Sequence, residues 1–129
     1  MDLEGKKIKS LDNLQSVGDD LDLRETQIES LPNLQSVGGY LDLAWAKIKS
    51  LGNLQSVGGY LDIRGTQIKS LPKLQSVGWG LDVRGTQIKS FGNLQSVGGN
   101  LWLNKFLSEK YTNEEIRSMI NVDGDIIRP

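Results

Sequence analysis

The string Leu-Gln-Ser-Val-Gly begins at Leu14, Leu34, Leu54, Leu74 and Leu94, five times at a spacing of twenty residues. Twenty residues cannot close a hydrophobic core alone, but they make one coil of a stacked superhelix, so the period dictates a solenoid. A chain of 129 residues is then one continuous domain of such coils.

Set in rows of twenty from Met1, the apolar residues fall into columns. The first holds Leu21, Leu41, Leu61, Leu81 and Leu101; the third holds Leu3, Leu23, Leu43, Ile63, Val83 and Leu103. The eighth holds Ile8, Ile28, Ile48, Ile68 and Ile88, and the eleventh holds Leu11, Leu31, Leu51, Leu71 and Phe91. The repeated Leu and Val of the Leu-Gln-Ser-Val-Gly string complete the set. Leu-Asp-Leu alternation is the period of a strand with one face buried, and neighbouring coils in the same register make the sheet parallel. Six apolar side chains per coil cannot offset the ordering of twenty residues, so stability must come from coil-on-coil burial. The column Gly18, Gly38, Gly58, Gly78 and Gly98 marks a corner needing either a positive φ or a close backbone approach.

The pattern breaks after Leu103, dividing the chain into solenoid repeats over 1–103 and a C-terminal cap over 104–129. Thr112 and Glu115 form a capping box, and Ile116, Met119 and Ile120 share one stripe of a short helix. Val-Asp-Gly-Asp-Ile-Ile-Arg then repeats the corner-and-strand pattern, which predicts a closing seventh strand near Ile126. The expected fold is mainly β: a right-handed parallel β-solenoid with 20-residue coils, a short C-terminal capping helix and a closing strand. The first coil has no comparable cap, so its edge near Leu3 is open to pairing with a second copy as a homodimer.

The unit Leu-Asp-Leu-Arg-Gly-Thr-Gln-Ile-Lys-Ser-Leu resembles the LxLxxNxIxxL signature of leucine-rich repeats, with Thr at the asparagine-ladder position. Its Val-Gly-Gly-x-Leu corner is similar to the repeats of receptor L-type domains and of short repeat proteins of bacteria and their phages. The resemblance covers residues 1–103 and implies a non-catalytic, protein-binding module that engages or blocks a host protein. The ladder column reads Lys6, Thr26, Ala46, Thr66, Thr86 and Phe106, so a continuous ladder is not expected. Near-identical neighbouring coils also fit recent duplication or a consensus repeat scaffold without a natural ligand.

The chain has neither His nor Cys, and its serines recur at corners without a neighbouring base, which argues against an enzyme. No cofactor is implied. The absence of Cys and of a leader-like apolar stretch fits a soluble, cytoplasmic protein without a membrane span. Asp2, Asp22, Asp42, Asp62 and Asp82 form an outward row, but Arg24, Arg64 and Arg84 stand two columns on and are expected to neutralise it, so no metal site is assigned. Lys7, Lys9, Lys47, Lys49, Lys69 and Lys89 form a second charged stripe, interrupted by Gln27 and Glu29. With a net charge of -1 and no recognition motif, nucleic acid is the weaker expectation for that stripe. Ice binding through Thr26, Thr66 and Thr86 is disfavoured because that column should point partly inward.

The aromatics are the better lead. Tyr40 and Tyr60 precede the strand in one outward column, and Trp79 replaces a Gly one position earlier in the next coil. Together with Asp42, Asp62, Arg64 and Arg84 they form the predicted protein-binding face, because aromatic and Arg side chains supply most interface hot spots. Trp45 and Trp102 are additional candidates. The alternative for Trp45 is packing over the space left by Ala44, and for Trp102 it is covering the final coil beneath the cap.

Overall fold

The computed structural model describes residues 1–129 as a parallel β-solenoid with twenty-residue coils. The Leu-Asp strands Leu21–Asp22, Leu41–Asp42, Leu61–Asp62, Leu81–Asp82 and Leu101–Trp102 stack in order and are closed by Ile126–Ile127. Register is strict, with Leu41 beside Leu61 and Asp42 beside Asp62. Asp2 bridges to Asp22 at the opposite end, so Ile126–Ile127 is the seventh row counted from the first coil. The ladder is continuous: Leu21 N–H donates to Tyr40 O at 2.9 Å, Leu61 N–H to Gly80 O at 2.9 Å and Leu101 N–H to Asp125 O at 2.9 Å.

A second parallel sheet, which the alternation does not reveal, is built from Ser16–Val17, Ser36–Val37, Ser56–Val57, Ser76–Val77, Ser96–Val97 and Asn121–Val122. Its strands are as short as those of the first sheet, but the apolar residues around them, Leu14 and Val17 and their equivalents, lie three residues apart rather than two, so no alternation marks them. Between the sheets runs one core that includes the predicted columns and continues into Leu107, Ile116, Ile120 and Val122 of the cap.

The Gly18 column follows from close approach. A Cβ on Gly38 would fall onto the carbonyl oxygen of Gly18, and the same holds for each glycine above it. Positive φ occurs instead in the corner after the Leu-Asp strand, at Gly5 (67°), Gly65 (66°) and Gly85 (70°), where Glu25 (58°) and Trp45 (63°) also adopt it, and again at Gly52 (54°) and Gly92 (56°).

The cap contains two helices rather than the single predicted one: α1, Lys105–Lys110, and α2, Asn113–Met119. Asn104 caps α1 by accepting from Leu107 N–H at 2.8 Å, and its amide donates to Ile88 O at 2.8 Å, tying helix to solenoid. The capping box of Thr112 and Glu115 is present on α2. Ile116 and Ile120 are buried there, whereas Met119 is exposed, because the short helix turns only one narrow stripe inward. No helix is long and apolar enough to cross a membrane.

Candidate functional site

The Leu-Asp sheet presents its outward side chains as a grid, because alternate residues of a strand share a face and parallel register stacks them. From the open end, successive strands carry Asp20-Asp22-Arg24, Tyr40-Asp42-Ala44, Tyr60-Asp62-Arg64, Gly80-Asp82-Arg84 and Asn100-Trp102-Asn104. The predicted residues therefore come together, all but Trp79 and Trp45 within this grid.

The Asp and Arg columns are wired by contact. Arg24 reaches Asp22 at 2.7 Å, Arg64 reaches Asp62 at 2.8 Å and Arg84 reaches Asp82 at 2.6 Å. Two of these guanidinium groups also lean one coil onward: Arg24 lies 3.4 Å from Asp42 and Arg64 lies 3.5 Å from Asp82. Hydrogen bonding to Arg24 holds the Asp22 carboxyl below its usual range despite its burial. Arg24, Arg64 and Arg84 are correspondingly raised, first by their hydrogen bonds to Asp22, Asp62 and Asp82. Asp42 behaves oppositely. Burial pushes its carboxyl up and the neighbouring Asp62 adds to the rise, while Ala44 supplies only a backbone N–H at 3.1 Å.

The aromatic residues flank this charged centre. Tyr60 and Trp79 meet edge to face, with centroids 5.6 Å apart at 89°, and both remain exposed, at 48% and 61%. Gly80 is the floor between Tyr60 and Trp102: a Cβ there would lie 2.9 Å from the Tyr60 ring and 2.8 Å from the Trp102 ring. Trp102 also takes the Arg84 guanidinium, whose carbon lies 5.9 Å from the indole centroid. In place of an aspartate it offers Arg84 a cation–π contact. Tyr40, Tyr60 and Trp102 thus line a hollow of about 310 Å³ with Asp42, Asp62 and Asp82 among its polar walls. Burial and the nearby Asp20 raise the Tyr40 phenol above its usual range, so it stays a neutral hydrogen-bonding group.

Trp45 lies outside that hollow, at the corner, with its indole over Gly65. It is 63% exposed. Gly80 and Asn104 are the positions that residue-type reasoning passed over; the Gly-for-Tyr change beside Trp79 and an Asn three residues before a core Leu were the available signals.

The remaining candidates differ in character. The lysine stripe is exposed along its length and borders a hollow of about 930 Å³ between the solenoid and α1, where Lys69, Lys89 and Lys105 face Glu109. Lys89 and Lys110 lie 5.7 and 5.4 Å from the Phe106 ring centroid. Asp2, Glu4 and Asp22 come close enough to share an ion, but Arg24 already occupies that space, 3.4 Å from Glu4. Thr26, Thr66 and Thr86 are buried, and each hydroxyl is spent on the carbonyl three residues earlier.

Compared with known proteins, the chain matches no protein-family model, no curated protein and no solved structure.

Proposed function

We propose that this solenoid is a non-catalytic, cytoplasmic protein-binding module whose working surface is the Leu-Asp sheet face around Tyr60 and Trp79. The observation that carries this reading is that edge-to-face pair, held in the open beside an aromatic-walled hollow. Two large apolar side chains left about half exposed on a rigid sheet lose little freedom on association, because the ladder already fixes their backbone. Arg64 and Arg84, each pinned by an aspartate, add preset donors at the rim. The leucine-rich-repeat-like columns, and the likeness of the corner to short repeats of bacteria and their phages, support a partner that is a host protein. Pairing of a second copy along the first coil, near Leu3, belongs to the same reading.

Affinity capture from bacterial lysate, with a Tyr60→Ser/Trp79→Ser variant as matched control, tests the reading. The parent is expected to retain a partner at high salt that the double variant loses at unchanged melting temperature. Equal capture by both proteins would remove this face from consideration, and salt-labile nucleic acid would move attention to the lysine stripe.

A further inference from the structure

The arginine column has one gap, and its surroundings say what belongs there. Arg24 spans Asp22 and Asp42, and Arg64 spans Asp62 and Asp82, so each guanidinium joins the aspartate of its own strand to that of the next. The same spacing places Asp42 beside Asp62, at the roughly 4.8 Å that separates paired strands. At the position that Arg24 and Arg64 hold on their strands, this strand has Ala44, and no guanidinium joins Asp42 to Asp62.

We infer that this gap is a seat for an arginine side chain of the protein partner, held between Asp42 and Asp62 against the Tyr40 and Tyr60 rings. The inference rests on the protein-binding reading and names the chemistry its partner brings. Both carboxylates and both tyrosines line the hollow of about 310 Å³, whose farther wall holds Asp82 with Arg64 and Arg84. A guanidinium is planar and carries its donors in a fork, so it bridges two carboxylates while lying against an aromatic ring; a lysine ammonium does this as a point charge only. The rise of the Asp42 carboxyl agrees: its partial burial and the neighbouring Asp62 outweigh Arg24 of the preceding coil, 3.4 Å away, and its own strand supplies no arginine.

A second departure in the same coil points the same way. Where three other coils carry Gly5, Gly65 and Gly85 and the preceding one carries Glu25 at a φ of 58°, this one carries Trp45 at a φ of 63°, a left-handed conformation that suits glycine and not a bulky ring. Its indole is 63% exposed. One coil thus gives up its cation and displays an exposed ring at once. Both changes follow if a partner supplies the cation and covers the ring.

The test is an amide NMR titration with two blocked tripeptides, acetyl-Gly-Arg-Gly-amide and acetyl-Gly-Lys-Gly-amide. Saturable shifts centred on Asp42, Ala44 and Asp62 are expected with the arginine peptide, and several-fold weaker ones with the lysine peptide. Ala44→Arg, which restores the pattern of the neighbouring coils, is expected to weaken arginine-peptide binding by about tenfold or more by occupying the seat itself. Asp42→Asn should weaken it with the gap still open. No shifts, equal response to the two peptides, or unchanged binding in Ala44→Arg would overturn the inference. Capture of a partner that depends on Tyr60 and Trp79 but ignores Ala44→Arg would sink the arginine seat and leave the protein-binding reading standing. Peptide binding sensitive to Ala44→Arg without any aromatic-dependent capture would do the reverse.

Discussion

The first coil and the last repeat coil carry nearly the same apolar columns, yet they are buried to different degrees. Ile88 and Leu94 are buried, whereas their equivalents Ile8 and Leu14 are only partly so. The sequence of a coil does not account for this. Each column residue has one neighbour above and one below; Ile88 lies between Ile68 and the cap, while Ile8 has only Ile28. Burial in this fold is conferred by the adjacent coil, as expected where stability is the sum of nearest-neighbour interfaces.

Matched substitutions probe that difference most strongly. Ile88→Ala is expected to cost about 3–4 kcal/mol, and Ile8→Ala about 1–2 kcal/mol, because the partly exposed site loses less burial and leaves a smaller cavity. Thermal and denaturant unfolding would measure both. Equal costs would mean that the first coil is as well supported as the last. The next effect is that of the column-four residues at the two ends. Asn104→Ala removes the partner of Leu107 N–H and of Ile88 O in a buried setting and should cost about 2–3 kcal/mol. Glu4→Ala, in the same column but exposed, should stay within about 0.5 kcal/mol. A large loss at Glu4 would show that the open end is held by its ion pair with Arg24.

What the sequence made legible follows the same logic. A period of twenty residues exposes every feature that recurs, so the apolar columns, the parallel register and the outward Asp and Arg rows could be read directly. The closing strand was visible because Val-Asp-Gly-Asp-Ile-Ile repeats a corner already present five times. The Ser-Val sheet was hidden because its flanking apolar residues, such as Leu14 and Val17, lie three apart where Leu21 and Leu23 lie two apart, and α1 because only Leu107 of its six residues is buried. At the site, the Tyr40, Tyr60 and Trp79 cluster was legible as columns. The proposed role of Ala44 was not, since the lack of an arginine there matters only once Arg24 and Arg64 are seen to lean across to the next coil.

The smallest expected effect carries this lesson to two copies of the same residue in the same column. Asp22 has its own arginine, and its folded-state carboxyl lies below the ordinary 3.8. Its ionised form therefore stabilises the fold above that value, and the contribution is lost as pH falls through the lowered pKa. Asp42 has Ala44 where Asp22 has an arginine and meets Arg24 only across the coil at 3.4 Å; its carboxyl lies above 3.8, so the folded protein holds a proton that the unfolded chain has released. Its stabilising contribution is present at low pH and is lost as pH rises through the raised pKa. Asp22→Asn should then be less stable than the parent at pH 7, with the deficit closing below pH 3.8. Asp42→Asn keeps an oxygen for the Ala44 N–H and should be more stable at pH 7, with the advantage vanishing below pH 3.8. Unfolding curves from pH 3 to 7 would separate the two variants by sign. Adding Ala44→Arg should bring the Asp42 curve to the sign of Asp22, because the difference lies in the neighbour and not in the residue. A gain in stability at pH 7 in Asp42→Asn, together with weaker arginine-peptide binding by the same variant, would tie the cost of this charge to the proposed seat.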